Sequence, residues 1–175
     1  MLTFNKVEQN QIKELASLAD AIWHEYWTCI LSPEQIDYMV ENFQSEKAIK
    51  NQIENENYTY YFIEIKTLSL TFSPGEKIAN ITSKYIGYFG ISHKKDYLFL
   101  SKLYIKKEFR HQGIGAKAFE KIKELAVDKP IRLTVNKYNT NTIKAYKKWG
   151  FKTIDSVVTD IGSGFVMDDY IMEHQ

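Results

Sequence analysis

The residues Arg110-His111-Gln112-Gly113-Ile114-Gly115-Ala116 sit between an alternating apolar run and an amphipathic helix, and that placement suits them to anion chemistry. Leu98, Leu100, Leu103 and Ile105 form the run; Ile114, Ala118, Ile122, Leu125 and Ala126 share one helix face. A strand feeding a glycine turn at a helix start gathers outward-pointing backbone N–H groups at the positive end of the helix dipole. Such a cluster accepts an anion, for example a pyrophosphate. Gly113 and Gly115 put no Cβ between that backbone and a ligand. Arg110 adds a fixed cation whose planar fork matches phosphate oxygens.

Two familiar nucleotide motifs are excluded by direct reading. A nucleoside-triphosphate loop needs a glycine, four residues and then Gly-Lys-Ser/Thr, whereas Lys117 here lies between Ala116 and Ala118. A dinucleotide turn needs a third glycine where Ala118 stands, and a carboxylate about twenty residues on, where the chain holds Asn136. A glycine-bearing strand-to-helix turn is common by itself, so the assignment needs a second block.

That block is LTVNKYNTNTIKAYKKWGFK, residues 133–152. With Arg-x-x-Gly-x-Gly/Ala at 110–115, it resembles the GCN5-related N-acetyltransferase (GNAT) superfamily: strand, asparagine, a helix carrying tyrosine, then Gly-Phe opening the next strand. Asn139, Tyr146, Gly150 and Phe151 fall at the family spacing, and the resemblance covers residues 84–175 best. The N-terminal region and the closing GFVMDDYIME are similar to bacterial spermidine/spermine acetyltransferase-like (PaiA-like) members.

The resemblance implies acetyl transfer from acetyl-coenzyme A to an amine, with no metal. It implies that the strand ending Leu103-Tyr104-Ile105 splays from the strand carrying Val135 and Asn136, so that pantetheine pairs in the wedge as an added strand. The amides of Gln112, Gly113, Ile114, Gly115 and Ala116 would hold the pyrophosphate, with Arg110 and His111 beside them. Asn139 would bond pantetheine or simply cap its helix. Tyr146 would protonate the departing thiolate, although in isolation a tyrosine on such a helix reads as packing. Lys148 would reach the 3′-phosphate or lie on a solvated face.

The base is less marked. No carboxylate stands between Asp96 and Glu108, so a held water is the first expectation, with Glu25 of the Trp23-His24-Glu25-Tyr26-Trp27 cluster the alternative. Polyamine acceptors would call for acids such as Glu25, Asp168 and Asp169, with Trp23 and Trp27 adding cation–π contacts. Peptide N-termini, small-molecule amines and antibiotic amines fit as well. The rival from another class is a catalytically idle acyl-coenzyme-A-binding domain of the same fold.

The elements that position these groups follow from periodicity. A strand is expected at 2–8 with Leu2, Phe4 and Val7 inward, and helices at 11–27, 33–43 and 45–56, the last two opened by Ser32-Pro33 and Ser45. Strands are expected at 58–70 and 78–91 around a Ser73-Pro74-Gly75 turn, within a 67–83 hairpin longer than the family's usual one. Strand 96–105, helix 113–127, strand 131–136, helix 140–149 and strands 151–159 and 164–173 complete one α/β (α+β) domain over 1–175: a mixed, mostly antiparallel sheet flanked by helices.

Composition bounds the partners. The formal net charge is +1, which gives no global field for nucleic acid. The one cysteine, Cys29, precludes an internal disulfide and reads as a small buried apolar residue. The four histidines show no metal spacing, and no apolar run reaches membrane-spanning length. The chain therefore reads as soluble and cytoplasmic, with an amine substrate as partner, no nucleic acid, no membrane, and a homodimer left open.

Overall fold

The computed structural model describes residues 1–73 and 76–175, and side chains outside 69–79. Pro74 and Gly75, at the centre of the expected Ser73-Pro74-Gly75 turn, lie outside the described residues. Seven strands form one sheet: β1 Leu2–Lys6, β2 Tyr58–Ser73, β3 Glu76–His93, β4 Leu98–Ile105, β5 Ile131–Asn136, β6 Lys152–Gly162 and β7 Phe165–His174. Their order across the sheet is β1-β2-β3-β4-β5-β7-β6, and among the described residues only the β4–β5 pair is parallel. The helices are α1 Ile12–Tyr26, α2 Pro33–Phe43, α3 Glu46–Asn55, α4 Ile114–Ala126 and α5 Thr140–Lys148.

The helix starts follow their sequence signals. Ser32 Oγ accepts from the Gln35 amide and Ser45 Oγ from the Ala48 amide, each at 3.2 Å, which satisfies a donor that the helix itself leaves unpaired. α1 turns Ile12, Leu15, Leu18, Ala19, Ile22 and Trp23 inward. With α3 it packs on Tyr60, Phe62 and Tyr88 of one sheet face. α4 and α5 cover the other face through Ile114, Ala118, Phe119, Ile122, Ile143 and Tyr146, against Phe89, Leu98, Leu100 and Leu133. Each fully buried aliphatic side chain here removes enough apolar surface from water to contribute about 1.5–3 kcal/mol. α4 ends without glycine: Val127 and Asp128 both adopt positive φ, 48° and 64°.

Two irregularities in β4 shape the site. Gly90 pairs with Lys102 and Ile91 with Leu100, so Ser101 is an extra residue, a β-bulge. It shifts the alternation: Leu98 and Leu100 share a core with Leu103 and Ile105, while Tyr104 packs on the opposite face. The second irregularity is that β4 and β5 pair only at Leu98↔Ile131 and Phe99↔Arg132 and then separate, which is the expected splay.

β2 and β3 remain paired to Ser73↔Glu76, past the reach of β1, which pairs with β2 only up to Ile65, and of β4, which pairs with β3 only from Gly87. One expectation fails. Cys29 is exposed, because it falls on the short 3₁₀ turn Trp27–Cys29 that ends α1, where Trp27 takes the inward position. Among the described residues, no helix is long and apolar enough to cross a membrane, and no group of three or more His, Cys, Asp or Glu is placed to hold a metal.

Candidate active site

At the end of β4 the chain turns into α4 through two left-handed residues, His111 at φ 62° and Gly113 at φ 75°. Gly113 is the N-cap of α4 and offers no side-chain cap, so the first helical amides, of Ile114, Gly115 and Ala116, point outward without intrahelical partners. A left-handed residue followed by helical ones forms a concave nest of N–H groups. A Cβ built on Gly113 would meet nothing within 4 Å, whereas one on Gly115 would come within 3.1 Å of Trp149 Cη2. Gly113 therefore leaves the space beside the free amides open, and Gly115 is required by packing against Trp149.

Arg110 is fixed before any ligand arrives. Its Nε donates to the Ile105 carbonyl at 2.7 Å, Nη1 pairs with Glu25 Oε1 at 2.8 Å, and the guanidinium lies 4.8 Å from the Tyr26 ring centroid. Nη2 is buried with no partner among the described residues. A guanidinium held on two sides with one unsatisfied N–H edge is a pre-oriented anion donor.

From this turn a cavity of about 1050 Å³ runs through the β4–β5 wedge to the far side of the sheet. Leu103, Tyr104 and Ile105 line one wall, Val135 and Asn136 the other, and Asn139, Tyr146 and Lys148 approach from α5 and its start. Asn139 precedes α5 but makes no side-chain cap; its Oδ1 accepts from the Tyr26 hydroxyl at 2.9 Å. That leaves its amide nitrogen as the end available to a ligand. Tyr146 is buried, and burial, followed by the nearby Tyr26 phenol, pushes its hydroxyl pKa well above the ordinary value of 10. Its ring packs on Trp149 and Phe151. No described residue hydrogen-bonds its hydroxyl.

Beyond the wedge the lining changes to aromatics. Tyr104 meets Trp23, Tyr26 and Tyr88 at ring-centroid distances of 5.6, 6.0 and 5.7 Å. Lys102, buried, donates to the Phe43 carbonyl and the Tyr60 hydroxyl at 2.8 Å and to Gln52 Oε1 at 3.2 Å. Burial lowers its pKa to about 7. Asp169 enters the same cavity from β7.

The acetyltransferase (GNAT) family model matches residues 19–151. This chain belongs to that family. It is 33% identical over 111 residues to thialysine N-epsilon-acetyltransferase of Bos taurus, covering 61% of this chain and 64% of that one. To the Sus scrofa protein of the same name it is 30% identical over 115 residues, 63% of this chain and 66% of the other. The chain thus matches just under two thirds of the length of either relative. Among solved structures, PaiA N-acetyltransferase of Thermoplasma acidophilum, in complex with coenzyme A, superposes with a TM-score of 0.72 at 21% identity, covering 100% of this chain and 99% of that one. A spermidine N-acetyltransferase SpeG variant of Vibrio cholerae gives 0.59 at 14% identity, covering 99% and 92%. These structural likenesses establish the GNAT fold.

Within this GNAT cavity the structure gathers Leu103, Tyr104, Ile105, Arg110, His111, Gly113, Gly115, Ala116, Asn136, Asn139, Tyr146 and Lys148. Three expected site residues stand apart from its lining. Ile114 turns its side chain into the core. Gln112 is exposed and donates to the Glu108 carbonyl at 2.8 Å. Glu25 is committed to Arg110 and to the Lys107 amide, at 2.8 and 3.2 Å. Lys102 and its polar partners were not expected here; the signal was a lysine inside an apolar strand, beyond an irregular three-residue step from Leu100 to Leu103.

Proposed function

We propose that this chain is an acetyl-coenzyme-A-dependent N-acetyltransferase acting in the cytoplasm on a primary amine of a small molecule or peptide, by direct transfer. The observation that carries this reading is one continuous cavity joining an anion-accepting helix start, an open strand wedge and a buried phenol. All the groups come from a single chain. The thialysine acetyltransferases among its relatives support an amine as acceptor.

The residues present fit the coenzyme. The open space over Gly113 and the unpartnered Arg110 Nη2 are what a pyrophosphate needs. The amides of Gln112 to Ala116 would hold it, with Lys148 toward the 3′-phosphate. Unpaired backbone of β4 beyond Phe99, together with Asn139, would hold the pantetheine arm. When bound, acetyl-coenzyme A supplies an activated acetyl thioester and a thiolate leaving group. Tyr146 holds a proton throughout the working pH range, because burial disfavours its phenolate, and no described residue accepts from its hydroxyl. It is the acid of the site. A β4 amide is the donor for charge developing on the acyl oxygen.

Release of free thiol from acetyl-coenzyme A, measured with a panel of polyamines, amino acids and peptides, tests the reading. Amine-dependent release supports it. Coenzyme binding without release for any amine would instead establish the idle acyl-coenzyme-A-binding domain.

A further inference from the structure

Asp169 stands on β7 directly across from Asn136, the last residue of β5, where β5 has already parted from β4. Its carboxylate lines the cavity, and Oδ1 is closed off from solvent with no hydrogen-bond partner among the described residues. The neighbouring acid is different: Asp168 is neutralised by Lys137 Nζ at 2.5 Å. From across the wedge Asp169 is close enough to act electrostatically on the Tyr104 hydroxyl, which in turn feels Tyr146. The carboxylate and the phenol acid are thus both within electrostatic reach of one residue of the splayed strand, and both line the same cavity.

Other cavity groups are already engaged or misplaced. Lys102 spends its ammonium on three acceptors. Glu56 is exposed and bonded by Asn51 at 2.8 Å. His111 is exposed on the anion side of the turn.

We propose that Asp169 is the proton acceptor for the incoming amine. An N–H bond of the acceptor ammonium breaks, an O–H bond forms on the Asp169 carboxylate, and nitrogen keeps the electron pair with which it attacks. A carboxylate with an unsatisfied oxygen in a partly desolvated cavity has the affinity for a proton that this step needs. Burial, with Asp168 adding to it and Lys137 opposing, raises the Asp169 pKa to about 6. The neighbours across the sheet, Asn136 on β5 and Val157 on β6, are uncharged. The ionised form, and with it kcat/KM, should therefore grow as pH rises through about 6.

The assignment rests on the acetyl-transfer reading, and one set of assays separates the two. With acetyl-coenzyme A and the amine from a spermidine, cadaverine and thialysine panel that wild type uses best, Asp169→Asn should lose a hundredfold or more in kcat/KM. The acid limb near pH 6 should disappear, Asp169→Glu should recover part of the rate, and coenzyme affinity should hold. Folding is checked on the same protein. The raised pKa means that stability falls as pH rises from the ordinary 3.8 to about 6 and stays lowered above that, so Asp169→Asn should melt no lower than wild type at pH 7.5. An active wild type with an Asp169→Asn protein of unchanged rate and unchanged acid limb would overturn Asp169 alone. A wild type that acetylates no amine would overturn both readings.

Discussion

Arg110 presents one edge to the cavity only because Glu25, Ile105 and Tyr26 hold the rest of the guanidinium. Its type and position beside a glycine turn made it legible in the sequence. The contacts of Glu25 were not legible: a carboxylate on α1 that meets the turn after β4 across the fold leaves no local spacing to read. The ion pair fits Glu25 as a positioning residue for Arg110, and that reading has a measurable consequence. By calorimetry, Arg110→Ala should weaken coenzyme A binding about tenfold, near 1.4 kcal/mol. Glu25→Gln should weaken it by less, and the double variant should be no weaker than Arg110→Ala alone. Additive losses would mean that Glu25 contacts the ligand independently. Asp169 was visible only as one of several acids suited to a polyamine; what distinguishes it, an unpartnered oxygen beside the wedge, is purely tertiary.

At the scale of elements, periodicity and caps located nearly every helix and strand, because these signals are local. Ser32-Pro33 and Ser45 announced their helices with the bonds they make. The bulge at Ser101 was written in the sequence as the break between Leu100 and Leu103, but its effect requires the partner strand. Were Ser101 paired in regular alternation rather than bulged, Lys102 would share the Leu98 and Leu100 face instead of joining Tyr60 and Gln52. The two glycines of the turn differ in the same way. Gly115 reads like Gly113 in sequence, yet a Cβ there would lie 3.1 and 3.3 Å from two Trp149 ring atoms. Trp149 cannot easily yield, being stacked on Phe119 at 5.4 Å and set edge-on to Tyr146. Gly115→Ala should therefore lose about 1 kcal/mol of stability through overpacking, despite alanine's better helix propensity. Gly113→Ala, strained at positive φ but facing open space, should lose coenzyme affinity beyond its loss of stability. Denaturant titration and calorimetry on both proteins check the contrast; equal profiles would contradict it.

For the molecule as a whole, a net charge of +1 assigns no partner, so selectivity resides in the cavity. One end of that cavity is set by backbone amides and Arg110, the other by aromatics, Lys102 and Asp169, and Tyr146 stands between them. The proposed coenzyme end is readable because its motif is contiguous. The proposed acceptor end draws on α1, α2, β4 and β7, and is not. The account converges on the Tyr146 hydroxyl, and one comparison tests it most directly: single-turnover acetyl transfer by wild type and Tyr146→Phe, with coenzyme affinity and melting temperature taken on the same preparations. Deleting one hydroxyl keeps the ring packed on Trp149 and Phe151. The account predicts nearly unchanged affinity and stability with transfer slowed roughly a hundredfold to ten-thousandfold, the usual contribution of a positioned acid. A stable Tyr146→Phe protein that transfers acetyl at the wild-type rate would contradict it.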